Sequence, residues 1–236
     1  MTQYRKVLLK FSGESLMGGG QYGIEPVSLT GYAQEIKSIA VLGVKVGLVI
    51  GGGNIFRGLK GVDKGFDRVK GDYMGMLATV INGLAMQSAL ESMDVKCRLL
   101  TAIRMDPVGQ GYSRQLMNEA FENGEVVIFS AGTGNPFFTT DTAAALRAVE
   151  MGADLLIKGT RVDGIFTADP EKVPDARKFD EITFDEAYRR GLKIMDLTAF
   201  TLCSENNVNM VVYDVNRKGS LKKIIFGERI GTFVKN

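Results

Sequence analysis

The sequence predicts an α/β fold, a three-layer α/β/α sandwich on a mostly parallel sheet, in one domain spanning residues 1–236. Three observations predict it. Short apolar runs alternate with longer stretches of helical spacing, the βαβα order of a parallel sheet. Those runs are apolar almost throughout rather than at every second residue, as strands covered on both faces are. Several of the 29 glycines cluster directly after such runs, where they let the backbone turn tightly and bring its N–H groups close to an anion.

The elements follow in order. Val7–Phe11 reads as the first strand. Ser28–Leu42 carries Leu29, Tyr32, Ala33, Ile36, Ile39 and Ala40 at helical spacing and stops at Gly43. Val44–Ile50 is a strand running into Gly51, Gly52 and Gly53. A long helix covers about Asp67–Met93, followed by a strand at Val95–Leu100. Ser113–Asn123 is helical and closed by Gly124. Val126–Phe129 is a strand that ends toward Gly132 and Gly134, and Thr140–Met151 is a helix with Thr139 or Thr140 as N-cap. Leu155–Ile157 is the next strand. Beyond Gly159 the pattern is more irregular, with helices near Phe184–Arg190 and Leu197–Asn206 and a strand at Met210–Tyr213. No linker or repeat divides the chain, so two lobes about a cleft are expected within the one domain.

Composition excludes several chemistries. There is no histidine, which removes every Ser-His-Asp triad, Cys-His pair, HExxH zinc site and imidazole acid/base. Two cysteines, Cys97 and Cys203, cannot form a four-thiolate metal site or a disulfide framework. They read as small buried hydrophobes in a reducing cytoplasm. Charge is near balance, 29 Lys+Arg against 27 Asp+Glu, which argues against a nucleic-acid grip or membrane adhesion resting on bulk charge. No apolar run reaches the length of a membrane span, and the N-terminal run stops at Lys10, unlike a signal peptide.

In such sheets ligands sit beyond the carboxyl ends of the strands. The turns at Ser12–Gly13, Gly51–Asn54 and Gly132–Asn135 fall there, and so do three cations: Lys10, Arg57 and Lys158. Each alone would read as a solvated strand-end charge. Together with three anion-friendly turns they point to a ligand with several phosphates, or two phosphorylated ligands meeting. No glycine is followed by lysine, so there is no Walker A loop. Gly18–Gly23 spells GxGxxG, but no strand leads into it and Pro26 follows, so a dinucleotide site fails on context. Phosphoryl transfer asks for cations, N–H donors and alignment. A nucleoside monophosphate, already largely dianionic near neutral pH with a second pKa of about 6, needs no general base, which makes the missing histidines intelligible.

Six segments carry a resemblance: Lys10–Glu14, Gly51–Gly58, Gly71–Ala78, Gly132–Asp141, Val162–Pro170 and Met195–Phe200. On these, from about Tyr4 to Phe233, the chain resembles the amino acid kinase family, in its bacterial uridylate kinase branch. The resemblance implies ATP and UMP as substrates, ADP and UDP as products, and Mg2+ carried by ATP with no direct protein metal site. It places Lys10, Phe11, Ser12 and Gly13 along the ATP phosphates, has Gly53 and Arg57 also contact ATP, with Lys10 and Arg57 among the catalytic residues, and puts Thr160, Phe166 and Asp169 on adenosine. It gives UMP to Gly52, Asp72, Thr133, Gly134, Asn135, Pro136, Phe137, Phe138, Thr139 and Thr140, with Asp72 on the ribose hydroxyls. Lys158 would be a second cation on the transferred phosphate, while Asp141 and Asp196 would orient the lysines or the magnesium water shell.

Each assignment has a simpler counterpart: Asp141 as a first-turn carboxylate meeting the helix dipole, Asp72 as a solvated helix residue, and Phe137 and Phe138 as core. The resemblance also implies a homohexamer, a trimer of dimers, with the long helix around Asp72–Met93 as the contact within each dimer. It implies GTP activation through the segment Gly18, Gly19, Gly20, Gln21, Tyr22 and Gly23, and UTP inhibition. It places an acceptor-side lobe first in the chain and an ATP-side lobe second. The rivals are another amino acid kinase, from which the acceptor segment separates it, and a nucleotide-sensing module without turnover.

Overall fold

The computed structural model describes residues 2–56, 65, 67–170 and 172–236. Among the described residues nine strands form one sheet in the order β4-β3-β5-β2-β1-β6-β8-β9-β7. Along the chain they are β1 (Lys6–Phe11), β2 (Lys45–Ile50), β3 (Cys97–Thr101), β4 (Gln110–Gly111), β5 (Val126–Ser130), β6 (Leu155–Thr160), β7 (Glu181–Thr183), β8 (Met210–Asp214) and β9 (Thr232–Lys235). All neighbours pair in parallel except β8 and β9. The fold is therefore α/β on a mostly parallel sheet. β1 sits in the middle, with β2 on one side and β6 on the other. The chain builds outward from β1 on one side and then crosses to the other, which opens a crevice beyond the carboxyl end of β1.

The apolar runs are buried on both faces. Val7, Leu9 and Phe11 of β1 join a core with α1 (Pro26–Ala40), α2 (Arg68–Glu91) and α7 (Ser220–Ile225). Leu8 faces the opposite core, built with α3 (Arg114–Glu122), α4 (Thr140–Met151), α5 (Phe184–Arg189) and α6 (Leu197–Glu205). The alternation follows from the strand period of two. It has a functional consequence: Lys10, two residues after Leu8, is directed to the α4 side.

Boundaries differ from the sequence expectation where a local cap decides them. Helix α1 begins at Pro26, not Ser28, because proline suits the first helical position and Glu25 accepts from Val27 N and Ser28 N at 3.0 and 2.5 Å. The expected strand at Val95–Leu100 is shifted to Cys97–Thr101 by its pairing with β5. Strands β4, β7 and β9 and helix α7 went unpredicted. None exceeds six residues, too short for periodicity to register. Among the described residues no helix is long and apolar enough to cross a membrane.

Candidate active site

Lys10 and Lys158 are register partners on β1 and β6. Side chains in register on adjacent parallel strands leave the sheet on the same face, and here α4 covers that face. Asp141, in the first turn of α4, stands between them. Its Oδ1 is 2.6 Å from Lys10 Nζ and its Oδ2 2.6 Å from Lys158 Nζ. Lys158 Nζ also donates to the Ile194 carbonyl at 2.6 Å. The two lysine side chains are only 10% and 12% exposed. Burial by itself would raise the Asp141 pKa, but Lys10 and Lys158 outweigh it and hold the carboxyl below the ordinary aspartate range. Burial pulls Lys158 below the usual lysine range, with Asp141 opposing that shift. The result is a desolvated pair of cations held side by side by one anion.

A second carboxylate ties the surrounding helices. Asp196 caps α6 by accepting from Ala199 N at 2.9 Å. It also accepts from the Thr142 hydroxyl at 3.0 Å and from the Thr139 hydroxyl. Thr139 in turn caps α4, accepting from Asp141 N at 3.0 Å. The N-termini of α4 and α6 are thus joined beside the lysine pair, where the positive ends of the two helix dipoles favour an anion.

The glycine turns are fastened by a buried amide pair. Asn54 Nδ2 donates to Asn82 Oδ1 at 3.0 Å, and Asn82 Nδ2 returns a bond to Asn54 Oδ1 at 2.7 Å and reaches the Gly51 carbonyl at 2.7 Å. Asn54 also exchanges bonds with Gly23, at 2.9 and 2.8 Å. A side chain at position 13 would overlap Gly51 O and Asn54 Oδ1, so only glycine lets the turns after β1 and β2 approach this closely.

Three cavities run along this edge. One of about 460 Å³ is lined by Gly52, Asp72, Thr133, Asn135, Phe138 and Thr140, among others. One of about 550 Å³ is lined by Thr160, Phe166 and Asp169. Between them a space of about 260 Å³ exposes Lys10, Ser12 and Lys158. Glu14 borders the first and the middle, and Thr160 borders the middle and the second. The three therefore form one trough with the lysine pair at its centre.

Placement of the remaining expected residues is mixed. Arg57 lies outside the described residues. Gly53 joins the first cavity and Gly13 packs beneath the turn at Gly51. Phe11 is core and stacks against Tyr32 with ring centroids 5.4 Å apart. Phe137 and Phe138 are not core: they stand exposed, Phe137 at 65%, on a loop whose backbone is left-handed at Gly134 and Phe137. Tyr22, within the glycine segment at 18–23, is 84% exposed. Burial pushes the Cys97 and Cys203 thiols up to about 12, which leaves neither as a thiolate nucleophile at neutral pH. Sequence reading missed Arg68, which lines the first cavity, and Arg161, which lines the middle one. It also missed Thr142, Asn82 and the bonding of Asn54. The available signals were Arg68 four residues before Asp72 and Asn82 amid apolar neighbours on a helix.

The amino acid kinase family matches residues 5–214 of the chain. The chain is 62% identical over 236 residues to the uridylate kinase of Parabacteroides distasonis, covering 100% of both. It is 63% identical, again over the whole of both chains, to the uridylate kinase of Phocaeicola vulgatus. Among solved structures it is similar to the UMP kinase of Bacillus anthracis, with TM-score 0.95 and 35% identity over 98% of this chain and 96% of that one.

Proposed function

The chain belongs to the amino acid kinase family, and from that premise we propose that it is a uridylate kinase, transferring the γ-phosphate of ATP to UMP to give ADP and UDP. The observation that carries the reading is the trough: two nucleotide-sized cavities meeting at a buried pair of lysines. UMP occupies the cavity of Gly52 and Asp72, and ATP the cavity of Thr160, Phe166 and Asp169. The phosphates meet over Lys10 and Lys158.

The chemistry follows from charge. The UMP phosphate arrives as a dianion and attacks in line, so no residue has to remove a proton. Lys10 and Lys158 offset the charge spread over the transferred group, in a site dry enough to strengthen each contact. Asp141 keeps both ammonium groups in place before substrate arrives, so the cost of bringing two cations together is met in folding. The N–H groups at Gly52, Gly53 and the start of α4 align the phosphates. Magnesium enters with the nucleotide phosphates, and Asp141 and Asp196, which stand beside the lysine pair, are the carboxylates that would accept from its water shell. Magnesium bound this way would neutralise phosphate charge.

The assembly is a homohexamer, a trimer of dimers. Tyr73, Leu77, Ile81 and Leu84 support it: they are exposed at spacings of three and four along α2, an unusual apolar stripe for a free surface. GTP activates and UTP inhibits. The segment exposed at 18–22 supports the first effect, since the adjoining Gly23 is bonded to Asn54 and, through Asn54 and Asn82, to the turn at Gly51. The enzyme serves pyrimidine nucleotide synthesis in the cytoplasm, a setting that suits two unpaired cysteines. The test is coupled ADP release with MgATP and a panel of UMP, CMP and AMP. UMP is strongly favoured; equal rates with CMP would refute the uracil-selective cavity.

A further inference from the structure

The acceptor cavity contains a cation with no assigned role. Arg68 lines it one helical turn before Asp72. Its Nε donates to Asp72 Oδ2 at 2.8 Å. The same oxygen accepts from Phe137 N, also at 2.8 Å. The Arg68 guanidinium sits 5.3 Å from the centroid of the Phe137 ring. Phe137 has φ of 72°, a left-handed backbone that a phenylalanine adopts only when its surroundings hold it there. One arginine thus grips both the carboxylate on α2 and the loop after β5 that lines the cavity.

The two donors converge on one carboxylate oxygen. Among the described residues Asp72 Oδ1 makes no hydrogen bond, and the Asp72 side chain borders the cavity. We propose that Arg68 is a positioning residue for ribonucleotide specificity: by fixing Oδ2 it presents Oδ1 to the ribose hydroxyls of the acceptor. This rests on the uridylate kinase reading and deepens it. A carboxylate free to rotate would meet a 2′-hydroxyl only part of the time, so discrimination against a 2′-deoxy acceptor depends on what anchors it. Arginine suits the role because its planar fork can bind the carboxylate edge and stack on the aromatic ring together. Lysine offers a point charge and no stacking plane.

The experiment compares kcat/KM for UMP and dUMP in the parent chain, Arg68→Met and Arg68→Lys, at saturating MgATP. Size-exclusion profile and far-UV circular dichroism establish that each variant is folded. In the parent, UMP is preferred. In Arg68→Met, kcat/KM for UMP falls about tenfold, the scale of a charge-assisted hydrogen bond. That for dUMP falls much less, so the preference shrinks, and KM for ATP stays put. Arg68→Lys fails to restore the preference. An equal fall for both acceptors, or an unchanged preference, would overturn the proposal while leaving the kinase reading intact, because an ordinary helix-surface ion pair would leave the ratio unmoved. A parent chain that phosphorylates both acceptors equally would overturn it as well. A parent that phosphorylates neither would defeat the kinase reading, and this inference with it. Should both variants fail to fold, Asp72→Asn replaces them: it must compress the same ratio, and an unaltered ratio would overturn the proposal.

Discussion

Replacing Asp141 by asparagine tests the charge arrangement at the centre of the trough. The exchange keeps side-chain shape and removes one negative charge. Two ammonium groups stand 2.6 Å from its oxygens. At an effective dielectric of about 20, each attraction has a gross value of roughly 6 kcal/mol. Most of that is offset in the parent by the cost of desolvating three charges, so the measurable loss is what breaking a buried pair costs, about 3–5 kcal/mol. For a chain of this size each kcal/mol moves Tm by about 2–4 °C, so a fall on the order of 10 °C is expected. Catalysis suffers separately. With their shared anchor gone, the like-charged lysines separate or one loses its proton, and Lys158, already pulled down by burial, is the one to do so. We expect kcat to drop at least about a hundredfold.

The assays are thermal melting and coupled ADP release, with ATP added to the melt. ATP should raise the variant's Tm more than the parent's, because its phosphates replace the lost anion. The pH dependence has a definite sign. A carboxyl whose folded pKa is depressed lends stability above its unfolded pKa and loses it as pH falls through the folded value. The parent's Tm should therefore fall more steeply than the variant's as pH drops through and below the aspartate range. A variant within 2 °C of the parent, by the roughly 2 °C per kcal/mol scale, and with kcat within about threefold, would refute the anchoring role.

Two further perturbations probe the parts around that centre. Thr142→Val removes the hydroxyl that Asp196 accepts from on α4; we expect a loss of about 1–2 kcal/mol in urea denaturation and a several-fold lower kcat with KM for UMP little changed, and unaltered stability would show that the two helix starts are not coupled through it. Ile81→Glu places a charge in the exposed apolar stripe of α2; light scattering should find smaller particles than for the parent, and an unchanged mass would move the subunit contact elsewhere.

The fold was legible where one physical signal dominated. Strands β1, β2, β5 and β6 are buried on both faces and read as nearly continuous apolar runs, and α2 is long enough for its period to show. The short edge strands β4 and β7, and β9 between β8 and β7, were not legible, because a run such as Glu181–Thr183 has no pattern to display; the partner strand creates it. In the site, the strand-end lysines and the glycine turns were visible as residue types in suggestive places. That Lys10 and Lys158 share a face is a fact of register between strands 148 residues apart at Lys10↔Lys158, which no local pattern encodes. The same holds for Asn54 with Asn82 and for Arg68 with Phe137: each is a tertiary hydrogen bond or stacking contact between ordinary-looking residues. Phe137 shows the opposite failure, an aromatic whose type suggests the core and whose left-handed backbone holds it outside.

The central claim is that cations and amides suffice because the acceptor brings its own charge. The most direct measurement is the pH dependence of kcat/KM for UMP at saturating MgATP, with UDP quantified as product. The acid limb should follow ionisation of the UMP phosphate, with an apparent pKa of about 6. Failure to form UDP, or an acid limb that stays flat well below that value, would contradict the account.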